Sequence, residues 1–134
     1  LEAKRNLYLN MKKCIFCDEK KHKLIYSDKF FFVVRDNFPV TQNHTLIITK
    51  KHKKSFFDLN NKEISSLFDV LKKQRKILVS KDKTIKSFNI GVNDGKYAGQ
   101  TIKHLHIHLI PRRKGDVRNP KGGVRGVIPS KQKY

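Results

Sequence analysis

This sequence of 134 residues lacks the features that mark membrane and secreted proteins. No run approaches the roughly 20 apolar residues that a membrane helix needs, and no apolar stretch near the start has the form of a signal peptide. Trp is also absent, so that nine Phe and four Tyr supply the bulk of the core. We therefore predict a soluble protein that is cytoplasmic or otherwise intracellular, with a single domain and no membrane partner.

Acidic residues are scarce: the sequence has 11 Asp and Glu but 31 Lys and Arg, which gives a net charge of +20. Such a charge can drive nucleic-acid binding, since neutralised phosphates release counterions. The lysines are, however, spread over every segment and are not interleaved with aromatic residues, as a base-stacking platform would require. The charge therefore favours anionic substrates in general, and we do not expect nucleic acid as the partner.

Residues 1–10 precede the only methionine, Met11. We interpret them as residues added ahead of a natural start or as a disordered arm, and we assign them no function. From residue 11 to 134 we expect one domain. Glycine and proline recur near its end, which predicts an irregular tail from about residue 112.

Short β-branched and aromatic runs and one amphipathic segment define the predicted elements. Strands are predicted at 23–26, 30–35, 44–49, 87–92 and 104–110, the last ended by Pro111. A helix is predicted over 60–79, where Asn60 and Glu63 have the spacing of a capping box, and a short helical turn near 55–59. The apolar face of the long helix is predicted to comprise Ile64, Leu67, Phe68, Leu71 and Leu78.

Three of the six histidines alternate with apolar residues in the segment His104-Leu105-His106-Ile107-His108. On a strand, residues i, i+2 and i+4 share one face, so the three imidazoles would line one surface. A neutral imidazole is both a nucleophile and a metal ligand. Imidazoles spaced about 6.5–7 Å apart on one strand do not easily meet at one metal ion, which favours nucleophilic chemistry.

The alternating histidines, with Asn93-Asp94-Gly95 and Ala98-Gly99-Gln100-Thr101 before them, resemble the histidine triad (HIT) family of nucleotide hydrolases and transferases. The similarity extends upstream to Asp36, Pro39-Val40 and His44, and covers about 110 residues from Cys14. The run GQTIKHLHIHLIPRRKGD is closest to the fragile-histidine-triad branch, whose members cleave dinucleoside polyphosphates. The resemblance implies an α+β fold with a five-stranded antiparallel sheet, one long helix and a homodimer.

The resemblance also implies a two-step displacement on an adenosine-type nucleotide. His106 would attack the α-phosphorus to form a nucleotidyl-histidine that water hydrolyses, His108 would donate to a phosphate oxygen, and His44 would support both. The implied phosphate contacts are Asn93, Gln100 and Thr101. Asp36 would hold the ribose, and the implied neighbours of the base, which could equally be core residues, are Ile15, Phe16, Val34 and Asn37.

Two cysteines, Cys14 and Cys17, are separated by two residues, a spacing that suits a metal chelate or a redox pair. Zinc takes four ligands in structural sites, and the resemblance implies that His52 and His104 complete the set. His22 is a competing third ligand, and two reduced free thiols are the alternative to any metal. A bound zinc ion would hold the N-terminal segment on the sheet and take no part in catalysis.

Two further alternatives stay open at this point. The CxxC segment with its histidines and the high positive charge could form a zinc-stabilised nucleic-acid-binding module, and a nucleoside phosphoramidate could be the substrate. The tail, which contains Arg112, Arg113 and Arg125, could contact a second nucleotide or could be a solvated segment.

Overall fold

The computed structural model of the protein describes residues 2–5 and 14–134, so that the predicted start at Met11 and most of the predicted arm lie outside the described residues. Within 14–134, five antiparallel strands form one sheet in the order β1-β2-β3-β5-β4. They are β1 (Tyr26–Ser27), β2 (Phe31–Arg35), β3 (Thr45–Thr49), β4 (Ile85–Gly91) and β5 (His106–Arg113). Together with one long helix, α1 (Asn61–Lys81), the sheet confirms the predicted α+β fold. None of the described helices has the length and apolar character that would carry it through a membrane.

Helix α1 begins at the predicted capping box. The Asn60 side chain accepts from the backbone N–H of Glu63, and the Glu63 carboxylate accepts from the backbone N–H of Asn60. Glu63 is buried, and Lys53 neutralises it with an Nζ–Oε1 distance of 2.7 Å. The 3-10 turn at Phe56–Asp58 confirms the helical turn predicted near 55–59.

The apolar face of α1 is wider than the surface that the sheet covers. Leu67, Val70 and Leu78 are buried against the sheet, whereas Ile64 and Phe68 are 38% and 60% exposed. The apolar face predicted from the sequence therefore extends beyond the part that packs on the core. Helical spacing reports which side chains share a side of the helix, but not how far the neighbouring layer extends.

The strands β2 and β3 are buried on both faces. One face carries Phe31, Val33 and Ile47, which pack with α1 in the larger core. On the opposite face, Phe32 and Ile48 join a second cluster that also contains Phe16 from the N-terminal segment and Val34 and Leu46. This second face, covered by the segment that begins at Cys14, is the one that carries the functional side chains.

Strand β5 runs from residue 106 to residue 113, so both predicted ends were wrong. Pro111 lies inside it and pairs with Phe88 of β4. The edge of β5 that faces β3 has no strand partner at Pro111, because β3 begins at Thr45, which pairs with Leu109. On this edge the Pro111 carbonyl accepts a hydrogen bond from the Thr41 hydroxyl. The N–H that proline lacks would point to this same edge. No hydrogen bond between strands is therefore lost, and β5 continues through Pro111.

The tail after β5 turns back on itself and lies against β4. It contains 3-10 turns at Gly123–Val127 and Pro129–Lys131. Gly122 has a φ of 91°, and a Cβ there would lie 1.8 Å from the carbonyl oxygen of Gln132, so only glycine permits this approach. The described tail is thus irregular in secondary structure but folded onto the sheet.

Candidate active site and metal cluster

His106 stands at the start of β5 with one ring nitrogen fixed. Its Nδ1 lies 2.8 Å from the backbone carbonyl oxygen of His104. Because a carbonyl oxygen can only accept, Nδ1 carries the proton, and the lone pair is on Nε2. This tautomer leaves Nε2 free to attack an electrophile in the adjoining cavity, which His106 lines.

His44 and His108 form a second ordered pair, in which each proton can be placed. The backbone N–H of Val40 donates to His44 Nδ1 at 3.0 Å, so the His44 proton is on Nε2. His44 Nε2 lies 2.8 Å from His108 Nδ1, which must then accept. The proton of a neutral His108 is consequently on Nε2, where it can donate to a bound phosphate oxygen.

Burial keeps these imidazoles neutral. It lowers the pKa of His108 from 6.5 to about 4, with further lowering by the nearby rings of His106 and His44 and partial opposition from the Asp36 carboxylate. Burial also lowers the pKa of His44, again partly opposed by Asp36. Because both rings are neutral at physiological pH, the hydrogen-bond directions above apply under those conditions.

A cavity of about 560 Å³ opens beside His106 and His108. The predicted residues that line it are Ile15, Phe16, Val34, Asp36, Asn37, Asn93 and Thr101. The Asp36 carboxylate is held by the backbone N–H of Phe38 at 2.9 Å and lies 3.6 Å from His44 Nε2. The structure therefore brings the implied ribose, base and phosphate residues together with the two histidines.

Gln100 does not line this cavity. Its side-chain oxygen accepts from the backbone N–H of Gly95, and its amide group donates to the carbonyl oxygens of Lys54 and Ile102. Both ends of the amide are thus used to fold the loop that carries Asn93. The expected phosphate contact from Gln100 therefore stays a prediction, since in this arrangement its side chain is engaged by the loop.

His22 lies on the wall of the cavity, where the sequence did not place it. Its Nε2 is 2.6 Å from the carbonyl oxygen of Ile15, and its ring packs against Phe16 and Phe32 at centroid distances of 5.6 and 6.0 Å. The alternative in which His22 is a metal ligand is not supported, because His22 is not part of the cluster of Cys14, Cys17, His52 and His104. Other cavity residues that sequence reasoning missed are Lys21, Lys23, Ile25, Phe38, Leu46 and Ile102.

The four predicted metal ligands lie together next to this cavity. The Sγ atoms of Cys14 and Cys17 and the Nδ1 atoms of His52 and His104 are all within 4.8 Å of one another. His104 Nε2 lies 2.7 Å from the Thr49 carbonyl oxygen, which fixes the proton there and turns the Nδ1 lone pair toward the thiols. Two sulfur and two imidazole ligands form a set that zinc binds in closed structural sites.

The electrostatics of the cluster suit a cation. Burial lowers the pKa of His104 to about 4, opposed by its hydrogen bond to Thr49, and burial also lowers the pKa of His52. These imidazoles are neutral and able to coordinate. Burial and the adjacent Cys14 thiol raise the pKa of Cys17 to about 12, so this thiol needs a bound cation to ionise.

Comparison with known proteins identifies the family. The profile of the HIT domain matches residues 18–115. The chain belongs to the HIT family. An uncharacterised HIT-like protein of Methanocaldococcus jannaschii is 35% identical over 107 residues, which are 77% of this chain and 81% of that protein.

Two solved HIT structures extend the comparison. A zinc-bound histidine triad family protein from Mycobacterium smegmatis superposes with a TM-score of 0.72 and 31% identity, covering 81% of each chain. The diadenosine triphosphate hydrolase of Plasmodium falciparum superposes with a TM-score of 0.65 and 30% identity, covering 86% of this chain and 84% of that one. The Cys₂His₂ cluster of this HIT domain is compatible with zinc, and its fold is shared with nucleotide hydrolases.

Proposed function

We propose that this HIT domain hydrolyses dinucleoside polyphosphates and related nucleoside phosphate conjugates through a covalent nucleotidyl-histidine at His106. The observation that carries the proposal is the fixed tautomer of His106, whose free Nε2 faces a cavity beside the proton donor His108. The diadenosine triphosphate hydrolase among the structural neighbours supports this reaction class.

In the first step His106 Nε2 forms a bond to the α-phosphorus, and the bond from that phosphorus to the leaving-group oxygen breaks. The leaving oxygen takes the electron pair. The hydrogen bond from Nδ1 to the His104 carbonyl oxygen stabilises the positive charge that develops on the His106 ring. His108 Nε2–H donates to phosphate oxygens, and water then cleaves the phosphorus–nitrogen bond to release a mononucleotide.

The cavity supplies a binding site for an adenosine-type nucleotide. Asp36, held by the backbone N–H of Phe38, would accept from the ribose hydroxyls. The base would lie among Ile15, Phe16, Val34 and Asn37, and the phosphates near Asn93 and Thr101. A volume of about 560 Å³ lies within the range of about 300–1,000 Å³ that small-molecule sites occupy.

We assign zinc to the cluster of Cys14, Cys17, His52 and His104. With four protein ligands the ion would have no open position, so its contribution is a crosslink between the N-terminal segment and the sheet. The zinc-bound family member from Mycobacterium smegmatis supports this assignment. Phe16, which lies between the two cysteines, packs edge-on against His106 at a centroid distance of 5.1 Å, so the crosslink also supports the cavity wall.

We further propose that the domain forms a homodimer through α1 and the edge strand β4. Exposed apolar side chains of Ile64, Phe68 and Ile90 surround a groove of about 340 Å³ on this surface. A second copy of the chain would cover these side chains, whose exposure in water is unfavourable.

The decisive experiment measures hydrolysis of diadenosine triphosphate, diadenosine tetraphosphate and adenosine phosphoramidate by the wild type and by His106→Ala. We expect the substitution to lower kcat by on the order of 10³-fold or more, since it removes the nucleophile. Rapid acid quenching and mass spectrometry should detect adenylated His106 in the wild type only. Retained hydrolysis in His106→Ala would exclude the mechanism.

The same variant tests the nucleic-acid alternative. A binding module would lack turnover in the wild type and would retain salt-dependent oligonucleotide binding after His106→Ala, because the positive charge is unchanged. The relative kcat/KM values for the three substrates distinguish a polyphosphate hydrolase from a phosphoramidase.

A further inference from the structure

A second, larger cavity of about 830 Å³ adjoins the catalytic histidines from the other side. It lies between the tail and the outward face of β4 and β5. His108 and Asn93 line both this tail cavity and the nucleotide cavity described above. A substrate phosphate at His108 would therefore have room on both sides, one for the transferred nucleotide and one for whatever is attached to it.

The tail cavity has a largely apolar lining, and its polar side chains are cations, amides and the imidazoles of His44 and His108. Its charged side chains are Arg112, Arg118 and Lys133, and no carboxylate occurs among its lining residues. Arg112 is engaged, because its guanidinium donates to Asp116 at 2.8 and 2.9 Å and to Asn89 at 2.7 Å. Arg118 and Lys133 form no ion pair within the described residues, which leaves two cations for a polyanionic ligand.

The wall that carries these cations is anchored at both ends. The Arg112–Asp116 pair ties the start of the tail to β5, and the close approach of Gly122 to Gln132 ties its later part together. Lys133 follows Gln132 directly, and Arg118 lies between the two anchors. Both cations thus belong to a folded part of the tail.

We propose that the tail cavity is the leaving-group site, and that it binds the distal phosphates and second nucleoside of a dinucleoside polyphosphate. This inference rests on the proposed function. When the bond from the α-phosphorus to the bridging oxygen breaks, that oxygen leaves with the electron pair as part of a nucleoside oligophosphate. Arg118 and Lys133 neutralise the added negative charge, and the amides offer hydrogen bonds to the second nucleoside.

A charge-reversal experiment tests the proposal. The double variant Arg118→Glu/Lys133→Glu and the wild type are compared on diadenosine tetraphosphate and on adenosine phosphoramidate, whose small leaving group does not extend into the tail cavity. We expect the ratio of the two kcat/KM values to shift about tenfold or more against the tetraphosphate. The double variant Lys83→Glu/Lys131→Glu, which changes the net charge equally at exposed residues outside both cavities, should not shift this ratio.

A steric variant provides an independent measurement. Gly91 of β4 pairs with His108 in the sheet, and a Cβ built there meets no atom within 4 Å. Paired residues of antiparallel strands point to the same face, so Gly91→Val extends a side chain toward the tail cavity. It should raise KM for the tetraphosphate more than for the phosphoramidate.

The outcomes separate the two proposals. An equal loss on both substrates, or an equal shift of the ratio in the Lys83/Lys131 control, would overturn the leaving-group site. A wild type that hydrolyses the phosphoramidate but not the tetraphosphate would also overturn it, while the nucleotidyl-histidine mechanism would stand. A wild type that turns over neither substrate would refute the proposed function itself.

Discussion

Replacement of His44 is the most informative test of how the proton positions are set. His44 is 2% exposed and is placed between the Val40 backbone N–H and His108 Nδ1. His44→Ala removes the donor that keeps the His108 proton on Nε2. It also leaves the Val40 N–H without its acceptor.

The structure gives two magnitudes for this substitution. The hydrogen bond from His44 stabilises the productive orientation of His108 by about 1–3 kcal/mol. Its loss should therefore lower kcat by about five- to 150-fold. The unpaired N–H and the space left by the ring should lower the free energy of unfolding by about 2–4 kcal/mol. KM for adenosine phosphoramidate should change little, because His44 lines the tail cavity but not the nucleotide cavity, and the small leaving group of this substrate does not extend into the tail cavity.

The assay combines steady-state kinetics with urea unfolding followed by circular dichroism. His44→Gln serves as the matched variant, since its amide can still donate to His108 but cannot accept from Val40 in the same way. We expect it to recover part of kcat while remaining destabilised. If His44→Ala keeps the wild-type kcat, or if His44→Gln is as slow as His44→Ala, the relay from His44 to His108 is refuted.

Three further predictions concern protonation, metal and assembly. The His108 ring, followed by NMR, should stay neutral until the pH falls to about 4; because the unfolded chain binds this proton near pH 6.5, stability should decrease as the pH falls between these values. Chelation of zinc, or Cys17→Ser, should lower Tm, since a thousandfold excess of metal over its Kd stabilises by about 4 kcal/mol. Phe68→Lys should convert a dimer into a monomer in light scattering.

Each of these has a result that contradicts it. If NMR gave His108 a pKa near 6.5, the ring would not be desolvated by burial and the first prediction would be wrong. A metal content below one ion per chain in the wild type, or an unchanged Tm after chelation, would remove zinc from the cluster. For assembly, Tyr97→Lys is the control at another exposed aromatic residue, and a dimer that survives Phe68→Lys would exclude the α1 surface.

Sequence patterns were sufficient for the sheet and the helix, because alternation and helical spacing are local properties. They were insufficient at Pro111, because whether a proline ends β5 depends on whether its N–H would face a neighbouring strand, and β3 does not extend that far. They were also insufficient at Phe68, since exposure depends on the extent of the sheet beneath the helix. Both features depend on what lies next to a residue in space.

The candidate site was predictable to the same degree. The alternation of the histidines predicted that they share one face of a strand, whereas the tautomer of His106 follows from the structure, in which Nδ1 meets the carbonyl oxygen of His104. His22 reaches the cavity only because the N-terminal segment folds over β2, and Gln100 is withdrawn by contacts with Lys54, which is 46 residues away. Such contacts have no signal in a single sequence.

The ligands of the metal cluster are far apart along the chain, because Cys14 and His104 are separated by 90 positions in the sequence. Closing a loop of this length costs about 2 kcal/mol more entropy than closing one a tenth as long. We therefore expect the cluster to assemble after β3 and β5 have paired, since this pairing brings Thr49 and His104 together. A bound ion would then slow unfolding but leave the rate of folding nearly unchanged. The metal would therefore determine how long the folded state persists.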